Sequence, residues 1–243
     1  MNKKREVIII KSTDINDNDA LLNAISETGK ICFKARGVNK INSKNATSTA
    51  LFNKSVFIYN DDVNRKIYSL RSGENINTYR HIRVDLMKST IASLMCEVID
   101  KIDIYNYKET YNLLDHSLEY LDKTDNPLVL LGLFIAKINE ICGVSPVTDS
   151  CVKCGNTKGI CSISLKDGGF ICKDCFDFNE NKTVSLSSLK FFRLFDKAGI
   201  DDFTVLETMK CSYEDIEPVL NFFREYSGVN IKSIKFLEKI VKL

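Results

Sequence analysis

Apolar positions in the first eighty residues recur mostly with a period of two. Glu6-Val-Ile-Ile-Ile-Lys11 is a β-branched run that suits a strand. Leu21 to Ser26 is a second apolar run, broken by Glu27-Thr28-Gly29. Lys30 to Arg36 alternates cleanly: Ile31, Phe33 and Ala35 share one side, and Lys30, Cys32, Lys34 and Arg36 share the other. Leu51 to Tyr59 and Lys66 to Arg71 supply two more strands. Five short strands in this length suit a small barrel, for which the five-stranded OB-fold is the natural candidate. The polar, low-complexity stretch Asn39 to Thr49 lies between strands and reads as a mobile loop carrying Lys40 and Lys44.

After residue 80 the period changes to that of a helix. Met87, Ile91, Leu94, Met95, Val98 and Ile102 form one apolar stripe, and a second helix is expected over Glu109 to Leu121. A third has clear ends. Asp125 or Asn126 can cap it, Pro127 suits its first turn, and Gly143 follows its last. Its body, Leu128 to Ile141, is apolar nearly all round and should be the buried centre of this part. Further helices are expected at Ser187–Ala198, Glu214–Tyr226 and Ser233–Val241, the first two ended by Gly199 and Gly228. The expected class is therefore α+β: an N-terminal five-stranded OB-fold barrel over 1–80, then an all-helical domain over 81–243. An insertion at about 149–178 interrupts the helical pattern.

That insertion holds Cys151-Val-Lys-Cys154 and, after seventeen intervening residues, Cys172-Lys-Asp-Cys175. Paired C-x₂-C knuckles at this spacing fit a zinc-ribbon. Two thiolates three residues apart can share one metal, and two such knuckles complete a tetrahedron. Gly155 suits the left-handed conformation of a knuckle turn, and Asp167-Gly168-Gly169 suits a hairpin returning the second knuckle over the first. Lys153 and Lys173 sit inside the knuckles, where their charge offsets a dianionic four-thiolate zinc. Four thiolates leave no open ligand position, so one structural Zn2+ per chain is expected at Cys151, Cys154, Cys172 and Cys175. The other five cysteines fall in strand or helix patterns and read as small buried hydrophobes.

The chain has 243 residues, enough for a real core in one domain or two. A net charge of +2 hides an asymmetry: residues 1–80 hold 14 Lys and Arg against 8 Asp and Glu. No apolar run is long enough to span a membrane, and Val7 to Ile10 is too short for a signal-peptide core, so a cytoplasmic protein is expected. No Walker loop, G-x-G-x-x-G or H-E-x-x-H occurs, and neither of the two histidines sits in a catalytic motif. Binding is therefore favoured over catalysis. Lys30, Lys34 and Arg36, alternating along one strand, can form an electrostatic rail for phosphates, extended by Lys40 and Lys44. Arg65, Lys66 and Arg71 are secondary candidates, and Tyr59 or Tyr68 can stack on bases. The same cations can equally solvate an exposed strand face, and each tyrosine can belong to the core or its rim.

Several of these features, in order, resemble one family. Gly29-Lys30 followed by Ala35-Arg36-Gly37, then Gly143-Val-Ser-Pro146 leading into Cys151-x-x-Cys154-Gly155, then Gly168-Gly169 leading into Cys172-x-x-Cys175, and finally Tyr226, Gly228 and Lys232-Ser-Ile-Lys-Phe-Leu237, are similar to the bacterial RecO recombination mediators. The resemblance implies an OB-fold, a helical domain and an inserted zinc-ribbon. It implies a non-enzymatic, nucleoid-associated protein that binds single- and double-stranded DNA and anneals complementary strands. With RecR, it would help load RecA onto DNA coated by single-strand-binding protein. It also implies a groove for the acidic, apolar C-terminal tail of that protein; Lys232, Lys235 and Arg224 are candidates to meet the tail's carboxylate. The competing reading is a zinc-stabilised protein–protein adaptor without its own DNA binding.

Overall fold

In a computed structural model, residues 2–60 and 66–242 are described. The chain forms two compact units, Met1–Lys123 and Thr124–Leu243. The first unit contains the five expected strands: β1 (Asn2–Asp14), β2 (Ala20–Ser26), β3 (Gly29–Ala35), β4 (Lys54–Asn60) and β5 (Ile67–Asn77). They close in the order β1-β2-β3-β5-β4, with β4 returning to β1. All pairings are antiparallel except β3 with β5, which is parallel. This is a five-stranded OB-type barrel.

Alternation explains the barrel core. Val7, Ile9, Leu22, Ala24, Phe33, Ala35, Phe57 and Tyr59 point inward and are buried. Phe33 sits at the centre of an aromatic cluster, edge-on to Phe57 at 5.1 Å and to Tyr59 at 5.2 Å between ring centroids. Such pairs favour edge-to-face geometry because the ring edge is positive and the face negative. Tyr59, only 2 % exposed, is thus a core residue. Tyr68 packs against the same cluster from its rim. The run Val7 to Ile10 is apolar without alternation because both of its faces are covered. The helix over Leu86–Lys101 packs on β1 from outside the barrel.

Three helices complete this unit: α1 (Arg80–Val84), α2 (Leu86–Lys101) and α3 (Tyr107–Lys123). The break between α1 and α2 falls at Asp85, whose carboxylate accepts from the Lys88 amide and caps α2. Lys54 Nζ reaches Asp115 at 2.6 Å and Glu6 at 3.1 Å. The Tyr111 hydroxyl donates to Glu6 at 2.8 Å. This cluster ties α3 to β1 and β4 through charge-assisted hydrogen bonds.

The segment expected to be a mobile loop is folded onto the barrel. Consecutive turns run from Gly37 to Asn53. Ser48 and Thr49 are buried and donate to the Asn45 carbonyl. The Asn45 side chain accepts from the Gly73 amide on β5, and Asn53 donates to the Thr47 carbonyl at 2.7 Å. The Asn, Ser and Thr residues that looked like low complexity satisfy the backbone of tight turns.

The second unit holds α4 (Pro127–Ile141), β6 (Ile160–Ser164), β7 (Gly169–Cys172), α5 (Leu186–Lys197), α6 (Phe203–Leu206), α7 (Tyr213–Ser227) and α8 (Lys232–Ile240). Helix α4 is its buried centre, packed by α5 and α7. Pro127 stands at its first turn and Asn126 at its cap position. The Asn126 side chain instead donates to the carbonyls of Glu207 and Met209. The β6–β7 hairpin is the expected insertion between α4 and α5.

Candidate nucleic-acid interface and metal centre

The metal centre follows from two turns and one hairpin. Cys151 and Cys154 flank a turn closed by the Gly155 amide donating to the Cys151 carbonyl at 2.8 Å. Cys172 ends β7, and Cys175 ends the 3₁₀ turn Lys173–Cys175. Gly155 (φ 75°) and Gly168 (φ 80°) both take the left-handed conformation that these tight turns require. The Asp167-Gly168 turn then brings β7 back along β6.

The four sulfurs of Cys151, Cys154, Cys172 and Cys175 all lie within 4.8 Å of one another, and Cys154 Sγ is 3.6 Å from Cys172 Sγ. A tetrahedron with Zn–S near 2.3 Å needs edges of about 3.8 Å, so the cluster matches a metal-sized cage. Burial works to raise the Cys151 thiol, yet amides of Cys172, Cys154 and Lys153 directed at its sulfur bring it down to about 6. Cys175 is pushed up to about 12, first by its contact with the Cys154 sulfur and then by desolvation. The site thus sets one readily ionised thiol, Cys151, beside a Cys175 thiol that is held protonated. These four cysteines can hold a metal ion. Lys153, expected to offset the charge of the sulfurs, lies near Asp167 (3.6 Å) and Glu180 (3.7 Å), so its charge answers carboxylates. Cys161, on β6, stands outside the cluster.

The barrel cations fall into three groups. Lys34 on β3 lies opposite Ser69 on β5 in the parallel register. Arg71 stands two residues beyond Ser69 on β5, so alternation puts Lys34 and Arg71 on one outer face, and Arg36 follows in the turn that leaves β3. Arg36 and Arg71 are exposed. The Lys40 side chain lies back over Gly37, beside Arg36. Lys44 precedes Asn45, which is tied to β5, and Lys66 leads into β5; both are exposed. One carboxylate shares this face. Asp19 accepts from the Gly37 amide at 2.8 Å, and that bond, with Lys34 and Arg36 nearby, holds it below its ordinary range.

Lys30 has a different engagement. Its ammonium donates to the main-chain carbonyls of Asp100 (3.0 Å) and Ile102 (2.8 Å), at the C-terminal end of α2. A cation there satisfies carbonyls that the helix leaves unpaired and complements its dipole. Lys11 joins it, 3.1 Å from Asp100. The alternation correctly put Lys30 outside the barrel, but not the helix end that meets it. Arg65 lies outside the described residues. The Lys54, Glu6 and Asp115 cluster escaped the sequence reading, because its members are up to 109 positions apart.

Comparison with known proteins covers nearly the whole chain. A family model described as "Recombination protein O N terminal" matches residues 1–79, and one described as "Recombination protein O C terminal" matches residues 83–233. A "DNA repair protein RecO" of Bacillus pumilus is 29% identical over 242 residues, covering 98% of this chain and 94% of the relative. That of Halalkalibacterium halodurans is 27% identical, covering 99% and 96%. That of Bacillus cytotoxicus is 29% identical, covering 100% and 99%.

Proposed function

The chain belongs to the RecO family of DNA repair proteins, and from that premise we propose that it is a non-enzymatic recombination mediator. It binds single- and double-stranded DNA and anneals complementary strands. With RecR, it helps load RecA onto DNA coated by single-strand-binding protein, whose C-terminal tail it engages. The observation that supports this reading is the pairing of β3 with β5, which sets Lys34 opposite Ser69, with exposed Arg36 just past the end of β3 and exposed Arg71 two residues on along β5. Lys40, Lys44 and Lys66 extend this group of cations, and Arg65 belongs to the same proposed set. Lysines and arginines on a shared face neutralise phosphates and release counterions, whatever the sequence. Annealing needs no nucleophile, only two strands held close with their charge screened.

In this reading residues 1–80 are the DNA-binding barrel, residues 81–243 the helical domain, and about 149–178 a zinc-ribbon. The four cysteines hold one structural Zn2+, which supplies no chemistry beyond fixing the hairpin. No described helix is long and apolar enough to cross a membrane, in keeping with a cytoplasmic, nucleoid-associated protein.

The test is binding of fluorescent single-stranded DNA across a salt series, for wild type, Lys34/Arg36/Arg71→Ala and Lys30→Ala. Wild type should bind with an affinity that falls steeply with salt. The triple variant should lower the slope by about 2, near 0.7 per lost phosphate contact. Lys30→Ala should leave the slope nearly unchanged and lower the melting temperature instead. Absence of binding by wild type at low salt overturns the reading in favour of a zinc-stabilised protein–protein adaptor.

A further inference from the structure

The last helix carries a charge pattern that the barrel face does not account for. The twelve residues Lys232–Leu243 hold four lysines and one glutamate. Spacings of three and four residues put Lys232, Lys235 and Lys239 along one side of α8, as 100° per residue dictates, and Lys242 follows in the turn after the helix. Lys235, Lys239 and Lys242 are exposed, and none of the three makes an ion pair among the described residues. The helix's apolar side is used internally: Ile234 and Leu237 are buried. Glu238, one turn from Lys235, accepts from the Tyr213 hydroxyl on α7 at 3.2 Å. Phe236, 52 % exposed, stands beside the lysines.

We infer that this face of α8, with the turn that follows it, is a second phosphate-binding surface for single-stranded nucleic acid, formed by Lys235, Lys239 and Lys242 with Phe236 as a stacking platform. The inference rests on the DNA-handling reading above and extends it to a separate unit of the chain. Three partner chemistries fit a basic helix face, and the details select one. A bilayer needs the helix's apolar side, which Ile234 and Leu237 bury in the protein. An acidic, apolar peptide needs an apolar groove beside the cations. Here the large apolar side chain exposed on α8 is Phe236 alone. A single strand needs a row of point charges for its backbone and an exposed aromatic face for an unpaired base, and both are present. Lysine, unlike arginine, brings no fork for reading base edges, so the contact is sequence-independent. A mediator with one basic face on each of its two units can hold two strands at once.

The experiment uses the full chain and fluorescent oligothymidylate across a salt series. Three variants are compared with wild type: Lys235/Lys239/Lys242→Ala, the corresponding triple Arg variant, and Phe236→Leu. The lysines are exposed and unpaired, so the Ala variant should keep the wild-type melting temperature. It should lower the slope of log affinity against log salt by about 2. The Arg variant should restore that slope. Phe236→Leu should weaken binding about tenfold, by roughly the contribution of one stacked base, without changing the slope. If wild type binds while the Ala variant keeps its slope, the α8 inference fails and the barrel reading stands. If wild type binds nothing, the barrel reading fails first. A labelled peptide of alternating Asp and Phe is the counter-probe. Capture that the Ala variant abolishes, with oligothymidylate binding unchanged, assigns the face to an acidic peptide and overturns the inference.

Discussion

The barrel and the cysteine hairpin solve the same problem in opposite ways. The barrel closes around a core to which all five strands contribute, with Phe33, Phe57 and Tyr59 at its centre. The hairpin's own buried cluster is Cys151, Ile171 and Cys172, and two of those three are prospective metal ligands. One region is held by apolar area removed from water. The other has too little area, and its stability passes to whatever the sulfurs bind. The barrel and the ribbon should therefore fail separately, under different insults.

The sharpest way to break the comparison is Cys154→Ser, or a chelator on wild type. Structural zinc contributes on the order of 10 kcal/mol to a segment that has little else. Zinc content should fall from one per chain to near zero. Amide protons in residues 149–178 should exchange freely, while those of β1 to β5 stay protected. Unchanged zinc and protection would refute the four-thiolate assignment. The converse variant, Phe33→Ala, should cost the barrel about 3–5 kcal/mol through the cavity it leaves. Metal content should not change; loss of zinc in that variant would mean that the regions are coupled.

The smallest effect comes from acid. Burial works to raise Glu6, but its bonds from Tyr111 and Lys54 hold it below the ordinary value of 4.5. Its folded pKa is depressed, so its contribution is complete above that ordinary value and is lost as pH falls through the lowered one. Metal-bound thiolates are displaced by protons at higher pH, because each ligand must be deprotonated. On acidification zinc release should therefore precede the loss of barrel structure, read by a colorimetric zinc indicator and by near-ultraviolet dichroism. Simultaneous transitions would show that one cooperative unit had been mistaken for two.

The same contrast decides what could be read from the chain. The four cysteines were legible because metal geometry imposes its spacing on sequence. Strand β3 was legible because one covered face imposes a period of two. The end of β5, Ser72 to Asn77, has no such pattern and is a strand because β4 pairs with it. Asp85 was not legible as a helix break, since no glycine or proline marks it and the apolar stripe begins only at Met87. Lys30 looked like its neighbours Lys34 and Arg36; only the end of α2, seventy positions away, distinguishes it. The segment from Gly37 to Asn53 looked unstructured by composition, because residues that fold turns are also those that fill flexible loops.

The parallel seam between β3 and β5 has a consequence for the order of folding. Strand β1 finds its second partner only after β4 is made, and β3 only after β5. Until the ribosome has released residue 77, two strand edges stay open. Pairings between distant segments make folding slow, and open edges invite pairing with other chains. The nascent barrel is therefore most vulnerable to aggregation just before its last strand emerges, and a pause in translation ahead of β5 would prolong that exposure.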